Sequence, residues 1–306
     1  MPTLQQLRYL VAVADQLHFR RAAETCNVAQ PTLSTQLKEL ERRLDIELVE
    51  RNRARVILTS VGREIAERSR KVLREVDEIR EIARSRGQPM AQVIRVGVVQ
   101  SVGSYFLPLI VPDLHQRHPD LGLYVREGLP DRLLDALETG SLDLLFFPLP
   151  VRRNDFETLP LFREPIHVVV PADHRLTEVD DIEPSMLRGE TILSLERGHK
   201  LFELVQTICD DYGAEISQDY EGTSLDTLRQ MVATGIGITM LPALYVKSEV
   251  AHHDIVVARP FRETAPSRTI GMVWRKGTAR EEEFATLSRE ICTTLRRAAP
   301  EVTVLD

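Results

Sequence analysis

The chain has few cysteines and no two of them close in sequence. Its three cysteines, Cys26, Cys209 and Cys292, are too far apart to form a CxxC metal or redox pair. No apolar run approaches the roughly 20 residues that cross a bilayer, and no signal-peptide pattern opens the chain. We therefore expect a reduced, cytoplasmic protein with no membrane partner.

The sequence also lacks the residue groupings of an enzyme or a metalloprotein. Gly235 and Gly237 follow a predicted helix rather than opening one, so they do not form a phosphate-binding loop. His199 and Cys209 are ten residues apart, which is weak support for a base and nucleophile pair. Pairs of neighbouring histidines have no third metal ligand. We expect no catalytic residues, no metal and no cofactor.

Charge is distributed unevenly along the chain. Residues 1–87 contain 17 lysines and arginines against 13 acidic residues, whereas the remainder contains 22 against 33. The N-terminal part is therefore basic and the rest acidic, within an overall net charge of −7. This division is typical of a small module that meets phosphates, joined to a body that does not.

The first 44 residues have the spacing of three helices, predicted over Leu4–Gln16, Phe19–Cys26 and Gln30–Leu44. Pro31 suits the first turn of the third helix, where its missing N–H costs nothing. One stripe of that helix is formed by four leucines, Leu33, Leu37, Leu40 and Leu44. A short turn between the second and third helices completes a helix-turn-helix.

The face opposite the leucines carries hydroxyls followed by cations. Such a face suits a helix whose first turns enter the major groove of DNA. The candidate contacts are Gln30, Pro31, Thr32, Ser34, Thr35 and Lys38. The alternative is that these residues are simply the solvated side of a surface helix.

Two short strands predicted within Leu48–Leu58 would form a wing. Arg51, Arg53 and Arg55 lie on or beside its tip. Arginines of this kind enter the narrow, strongly negative minor groove of A·T-rich DNA. Three solvated surface arginines are the alternative.

A long helix is predicted next, capped by Thr59. Its apolar seam, with spacings near 3 and 4, is formed by Val61, Ile65, Val72, Val76, Ile79 and Ala83. A lone helix with such a seam needs a partner, which we expect to be a second subunit. Packing against its own chain is the alternative. Gly87 and Pro89 end the helix in a hinge.

From Val93 the pattern alternates between strands and helices, which predicts a mostly parallel sheet covered by helices. The predicted elements include a helix at Tyr105–Gln116, a strand near Ile166–Val170 and a helix near Leu201–Tyr212. Ligands of such sheets bind beyond the carboxyl ends of the strands. The positions that follow predicted strands or start helices are Gln100, Ser101, Val102, Leu129, Pro148, His199, Lys200, Thr223 and Ser224. Helix capping is an equal alternative for the three hydroxyl residues among them.

The N-terminal motifs resemble those of LysR-type transcriptional regulators. The resemblance covers Phe19–Ala23, Gln30–Ser34 and Leu48–Arg51, and extends to Leu58-Thr59 with Gly62. It departs at Ala29, where the family usually has serine, which removes a helix cap or a phosphate contact of about 1 kcal/mol. The family implies an α/β protein with an N-terminal winged helix-turn-helix, a long linker helix and a two-lobed effector domain like a periplasmic binding protein. The expected bounds are 1–60, 61–92 and 93–306, with lobe I at about 93–163 and 269–306 and lobe II at about 164–268.

Within the family, the chain resembles the OxyR-like, peroxide-sensing branch. The matching segments include Glu196–His199, Ser224–Arg229, Gly237–Leu244 and Arg268–Gly271. That branch oxidises a cysteine directly after a Gly-His pair and then closes a disulfide with a second cysteine. Here the second position is Cys209, but the first is Lys200. Because only a thiolate can carry out this chemistry, the resemblance implies that peroxide sensing by this route is lost.

Two functional hypotheses follow for the regulatory part. The first is a sensor of a small molecule, namely an anion held by Lys200, Ser101 and Thr223. The alternatives are that Lys200 is a surface lysine or that it holds the domain in one conformation. The second is a redox switch that uses Cys209 in another way. The expected partners are a palindromic site in double-stranded DNA, the effector, and further copies of the chain in a homodimer or homotetramer. RNA polymerase is a further candidate partner.

Overall fold

The computed structural model describes residues 1–51, 56–85, 90, 93–251, 255–262 and 265–305. The chain forms two compact units, Met1–Gln88 and Pro89–Asp306. We name them after the functions expected from the sequence, the DNA-binding unit and the regulatory unit.

The DNA-binding unit consists of four helices and a two-stranded hairpin. Its elements are α1 (Leu4–Gln16), α2 (Phe19–Thr25), α3 (Gln30–Leu44), β1 (Val49–Arg51), β2 (Val56–Leu58) and α4 (Ser60–Ser85). The prediction of three helices and a wing is confirmed, with α2 one residue shorter than expected. The wing tip, including Arg53 and Arg55, lies outside the described residues.

The leucine stripe of α3 forms the centre of the first core. Leu33, Leu37 and Leu40 are completely buried, packed with residues of α1 and α2 such as Leu10 and Ala22. Burying this stripe orients the opposite face of α3 outward, because the two faces lie on opposite sides of the same helix.

Helix α4 begins as predicted, but its second half is only partly covered by its own unit. The Thr59 hydroxyl accepts a hydrogen bond from the Gly62 N–H at 2.8 Å, which caps the helix. The first half packs against α1 and buries Ala66, so the alternative of packing within the chain holds there. Further along, Val72 and Ile79 are 45% and 65% exposed. The second half of the seam therefore remains available to a partner.

The regulatory unit has ten strands and six helices in its described residues. The strands are β3 (Val93–Val99), β4 (Gly122–Gly128), β5 (Leu144–Leu149), β6 (Phe156–Pro171), β7 (Thr191–Leu195), β8 (Glu215–Gly222), β9 (Ile238–Pro242), β10 (Val256–Arg259), β11 (Ser267–Arg275) and β12 (Thr303–Val304). The helices are α5 (Gln100–Arg117), α6 (Pro130–Glu138), α7 (Lys200–Tyr212), α8 (Leu225–Ala233), α9 (Ala243–Tyr245) and α10 (Glu281–Ala298).

The strands are less parallel than the sequence pattern suggested. Their order is β4-β3-β5-β11-β6-β9-β7-β8. Pairs β3/β4, β3/β5, β7/β8 and β7/β9 are parallel, but β6 and β11 pair antiparallel to each other and to their other neighbours. These two strands carry the chain across between the lobes in opposite directions. The short strand predicted at Ile166–Val170 is the end of the 16-residue β6.

Each lobe has its own apolar core. Phe106, Phe147 and Phe284 belong to the core of lobe I, whereas Ile192, Leu201 and Tyr245 belong to that of lobe II. Tyr105 of α5 packs against both cores. Two cores joined by the crossing strands β6 and β11 leave space for cavities between the lobes.

Helix α5 starts five residues before the predicted start at Tyr105. Gln100, Ser101 and Val102 are its first turn rather than a loop. The extended residue Val99 precedes them and supplies no side-chain cap. As a result Ser101 and Val102 turn inward and only Gln100 remains exposed. This changes what two of the predicted ligand-binding residues can contact.

Candidate DNA interface and effector cleft

The outward face of α3 presents most of the predicted DNA contacts. Gln30, Pro31, Thr32, Thr35 and Lys38 are exposed, and Ser34 is half-buried. Ala29 precedes the helix without a side-chain cap, as the replacement of serine implied. Unfilled N–H groups at this end are donors that suit a phosphate oxygen.

The cations of α3 differ in their availability. The carboxylate of Glu39 accepts hydrogen bonds from Arg42 and Arg43 at 2.7–2.8 Å, and these lower its pKa to about 2. Lys38, by contrast, makes no ion pair within the described part of the chain. Lys38 is therefore the α3 cation most available to a phosphate.

Glu41 is a residue of this unit whose role the sequence did not reveal. Its carboxylate accepts hydrogen bonds from the backbone N–H groups of Leu48 and Val49 at 3.0 and 3.2 Å. Gly62 brings α4 close to the same segment, because a Cβ there would collide with the Leu48 carbonyl oxygen. These contacts fix the base of the wing, which includes Arg51, relative to α3.

The regulatory unit has a cavity of about 410 Å³ between its lobes, which we call the first cavity. Five of the nine predicted effector residues line it, namely Gln100, Leu129, His199, Thr223 and Ser224. Four charged residues that the sequence reasoning missed also line it, namely Arg126, Glu127, Arg132 and Glu196. Arg126 and Arg132 flank the predicted residue Leu129, and that proximity was the available signal.

A second cavity, of about 740 Å³, contains two other predicted residues, Pro148 and Lys200. Arg152 and Arg268 also line it. The Lys200 ammonium lies 2.7 and 2.9 Å from the two carboxylate oxygens of Glu203, one turn along α7. The structure does not bring Lys200, Ser101 and Thr223 together in one cavity. Lys200 and Thr223 line different cavities, and Ser101 lines neither.

Ser101 belongs instead to a buried polar cluster, which we call the clasp. Arg268 donates to the Ser101 hydroxyl and to the Ser101 carbonyl oxygen, both at 2.7 Å, and to the Glu164 carboxylate at 2.8 Å. The other Glu164 oxygen accepts from the Leu244 N–H at 2.9 Å. The clasp thus links the first turn of α5 to both crossing strands and to α9. Val102, beside it, is 1% exposed and packs in the lobe I core.

Capping accounts for one of the three hydroxyl residues. Ser224 caps α8, because its hydroxyl accepts from the Thr227 N–H at 3.2 Å. Thr223 is exposed at the cavity and Ser101 sits in the clasp, so neither is a helix cap. Ser224 also lines the first cavity.

All three cysteines are free thiols. Cys209 is buried, and burial together with the nearby Asp210 carboxylate raises its pKa to about 11. Cys26 and Cys292 are half-buried, and burial raises the pKa of Cys26 as well. A buried thiol with a raised pKa is a poor nucleophile toward peroxide.

The described residues contain neither a metal-binding cluster nor a membrane-spanning helix. No cluster of three histidine, cysteine, aspartate or glutamate side chains there has a geometry suited to a metal ion. No helix there combines the length and apolar character required to span a bilayer.

An exposed helix face beside a hairpin, together with a two-lobed α/β unit that has cavities between its lobes, defines a DNA-binding regulator with a ligand-binding domain. The chain belongs to the LysR family of bacterial transcriptional regulators. Residues 4–63 match the lysR-family bacterial regulatory helix-turn-helix protein, and residues 87–295 match the LysR substrate binding domain. The protein is therefore a LysR-type transcriptional regulator with an effector-binding domain.

Similar proteins come from the OxyR group. The DNA-binding transcriptional dual regulator OxyR of Escherichia coli K12 is 40% identical over 288 residues, which cover 94% of each chain. A full-length OxyR variant from Pseudomonas aeruginosa has a TM-score of 0.77 at 36% identity, covering 95% of this chain and 98% of that one. An OxyR mutant from Corynebacterium glutamicum, described as H2O2-bound, has a TM-score of 0.66 at 28% identity, covering 97% and 96%.

Proposed function

We propose that this regulator responds to a small molecule bound between the lobes of its regulatory unit, and not to peroxide through a cysteine pair. The observation that carries the proposal is the first cavity, which gathers predicted residues from both lobes, Gln100 and Leu129 from one and His199 and Thr223 from the other. A ligand that contacts both lobes changes their relative position by its differential affinity for the two arrangements.

The loss of thiol-based sensing is supported by two features of α7. Its first residue is Lys200, at the position where the OxyR-like resemblance places the reactive cysteine. The only cysteine of that helix, Cys209, is buried with a raised pKa. The similarity to proteins described as hydrogen peroxide-inducible activators favours the alternative, a redox response through Cys209 by another route.

Peroxide treatment distinguishes the two functions. With a pKa of about 11, the Cys209 thiol is roughly one part in a thousand thiolate at pH 8. We therefore expect slow alkylation of Cys209 by iodoacetamide in the folded protein, accelerating as the pH is raised toward 11. We also expect the operator affinity to remain unchanged by peroxide.

The matched variants are Cys209→Ser, Cys26→Ser and Cys292→Ser, with Lys200→Cys as a gain-of-thiol comparison. Mass spectrometry should detect a peroxide-dependent disulfide to Cys209 only in Lys200→Cys. A reversible peroxide response in the wild type that disappears in Cys209→Ser alone would establish the redox function instead.

For the DNA-binding unit, we propose that α3 enters the major groove of a palindromic operator and that α4 pairs two subunits. We further propose that the protein acts in the cytoplasm as a dimer or a tetramer, together with RNA polymerase and without enzymatic activity. The exposed face of α3 and the uncovered part of α4 support it, because a two-fold dimer reads two half-sites.

Lys38→Ala is expected to weaken operator binding and to lower the slope of log affinity against log salt by about one unit per half-site. The reason is the loss of one phosphate contact and of its released counterion. Fluorescence anisotropy at several salt concentrations measures both quantities. Lys276→Ala, which makes the same change of charge on the regulatory unit, should leave the slope unaltered. An unchanged slope in Lys38→Ala would exclude this residue from the interface.

A further inference from the structure

The first cavity carries opposite charges on its two sides. Lobe I contributes Arg126, Arg132 and Glu127, which together have a formal charge of +1. Lobe II contributes Glu196, with a formal charge of −1, beside His199. The charged side chains that line the cavity therefore sum to zero, but they are separated across the cleft.

Neither arginine has a partner among the described residues. Within the residues that the structure describes, neither the Arg126 nor the Arg132 side chain makes a hydrogen bond or an ion pair. In the same lobe, Arg153 pairs with Asp135 and Glu138. Two unpaired guanidinium groups at a cavity are donors that suit a carboxylate, which they bind with two parallel hydrogen bonds.

Helix ends on the lobe I side add to this preference. Leu129 and Val99, which precede α6 and α5, provide no side-chain cap. Their helices therefore present free N–H groups and a positive dipole end near Gln100 and Leu129, both of which line the cavity. The two arginines and the helix ends therefore favour a ligand group of the same negative charge.

The lobe II side favours a cation. The Glu196 carboxylate lies 3.6 Å from Nε2 of the His199 ring, which is within ion-pair distance but beyond hydrogen-bond distance. Thr223 also lines the cavity, and its hydroxyl is an acceptor as well as a donor. An ammonium group, with three donors and no acceptor, matches this set of oxygens.

We propose, on the basis of the function proposed above, that the first cavity binds a small zwitterion of the amino-acid type. Its carboxylate binds Arg126 and Arg132 on lobe I, and its ammonium group binds Glu196 on lobe II. A dicarboxylate would place a second negative charge beside Glu196, and a diamine would place a positive charge beside the arginines. A volume of about 410 Å³ lies toward the small end of ligand cavities, which fits a ligand of this size.

The test measures binding to the full-length protein by calorimetry. The probes are the twenty common amino acids, succinate, benzoate and putrescine. For each amino acid that binds, its N-acetyl derivative removes the ammonium charge and its amide removes the carboxylate. We expect at least one amino acid to bind and each derivative to bind at least about tenfold more weakly, the loss associated with a charged hydrogen bond.

Variants assign each charge to its side of the cavity. Glu196→Gln should weaken the amino acid but not its N-acetyl derivative, whereas Arg132→Gln should weaken the amino acid but not its amide. Arg152→Gln, in the second cavity, is the matched control and should change neither affinity.

Two results would overturn the zwitterion proposal and distinguish it from the proposed function. Arg132-dependent binding of succinate or benzoate without any amino acid would leave an effector cleft but exclude a zwitterion. Failure of every probe, together with a Cys209-dependent peroxide response of operator binding, would remove both the zwitterion and the effector cleft.

Discussion

Arg268→Ala should lower the free energy of unfolding of the regulatory unit by about 3–5 kcal/mol, the loss typical of breaking a buried ion pair. The side chains of Arg268 and Glu164 are 6% and 1% exposed, so the remaining carboxylate would be buried, with the Leu244 N–H as its one other partner among the described residues. Ser101 would also lose its two hydrogen bonds from the guanidinium. Urea unfolding of the full-length protein measures the effect.

Trp274, the single tryptophan of the chain, is a suitable probe for this experiment. It is buried in the lobe I core on β11, so its fluorescence reports on the regulatory unit alone. This matters because two compact units need not unfold in one transition. The control is Arg153→Ala, which breaks partly exposed ion pairs and should cost only about 0–1 kcal/mol.

A double replacement tests the cause of the loss. Arg268→Leu with Glu164→Leu removes both charges, and it should recover part of the stability lost in Arg268→Ala, because no charge is left buried alone. A cost below 1 kcal/mol for Arg268→Ala would show that water or another side chain compensates for Glu164. The clasp would then not stabilise the fold.

The DNA-binding unit was predictable because its signals are local. The leucine spacing of α3 predicted its buried face, and Leu33, Leu37 and Leu40 are completely buried. Thr59 caps α4 within three residues of its partner Gly62. Periodicity and capping act within one or two turns, so a sequence displays them directly.

The clasp could not be predicted, because its partners are distant in sequence. Arg268 and Ser101 are 167 residues apart, and Arg268 and Glu164 are 104 apart. Only the crossing strands β6 and β11 bring them together. The same tertiary contacts determine that Ser101 faces the interior, which no local pattern at Gln100-Ser101-Val102 indicated.

The partner of Lys200 was predictable in principle. Glu203 lies three residues further along a predicted helix, a spacing at which opposite charges pair on one face. This ion pair makes Lys200 less available to an anion than an unpaired lysine would be. The arginines of the first cavity are different, since Arg126 lies on a strand and Arg132 on the following helix. Their proximity depends on the turn between those elements.

Replacing Val72 and Ile79 together with aspartate should convert the protein to monomers and reduce operator affinity by a factor of at least about 100. The two residues are 45% and 65% exposed within their own unit and are seven residues apart, the repeat of a two-helix seam. In a closed seam, the carboxylates would be buried without partners. A monomer reads one half-site and loses the gain from linking two binding events. Sedimentation velocity and anisotropy measure the two effects.

Lys71→Asp is the matched control for this variant. It changes the net charge by the same two units, but its position lies about 100° around the helix from Val72, away from the seam. It should preserve the oligomeric state. The substituted side chains lie outside the core of the DNA-binding unit, so we expect that unit to remain folded. Circular dichroism checks this. If the double variant kept both its sedimentation coefficient and its operator affinity, the exposed half of α4 would not be the subunit interface.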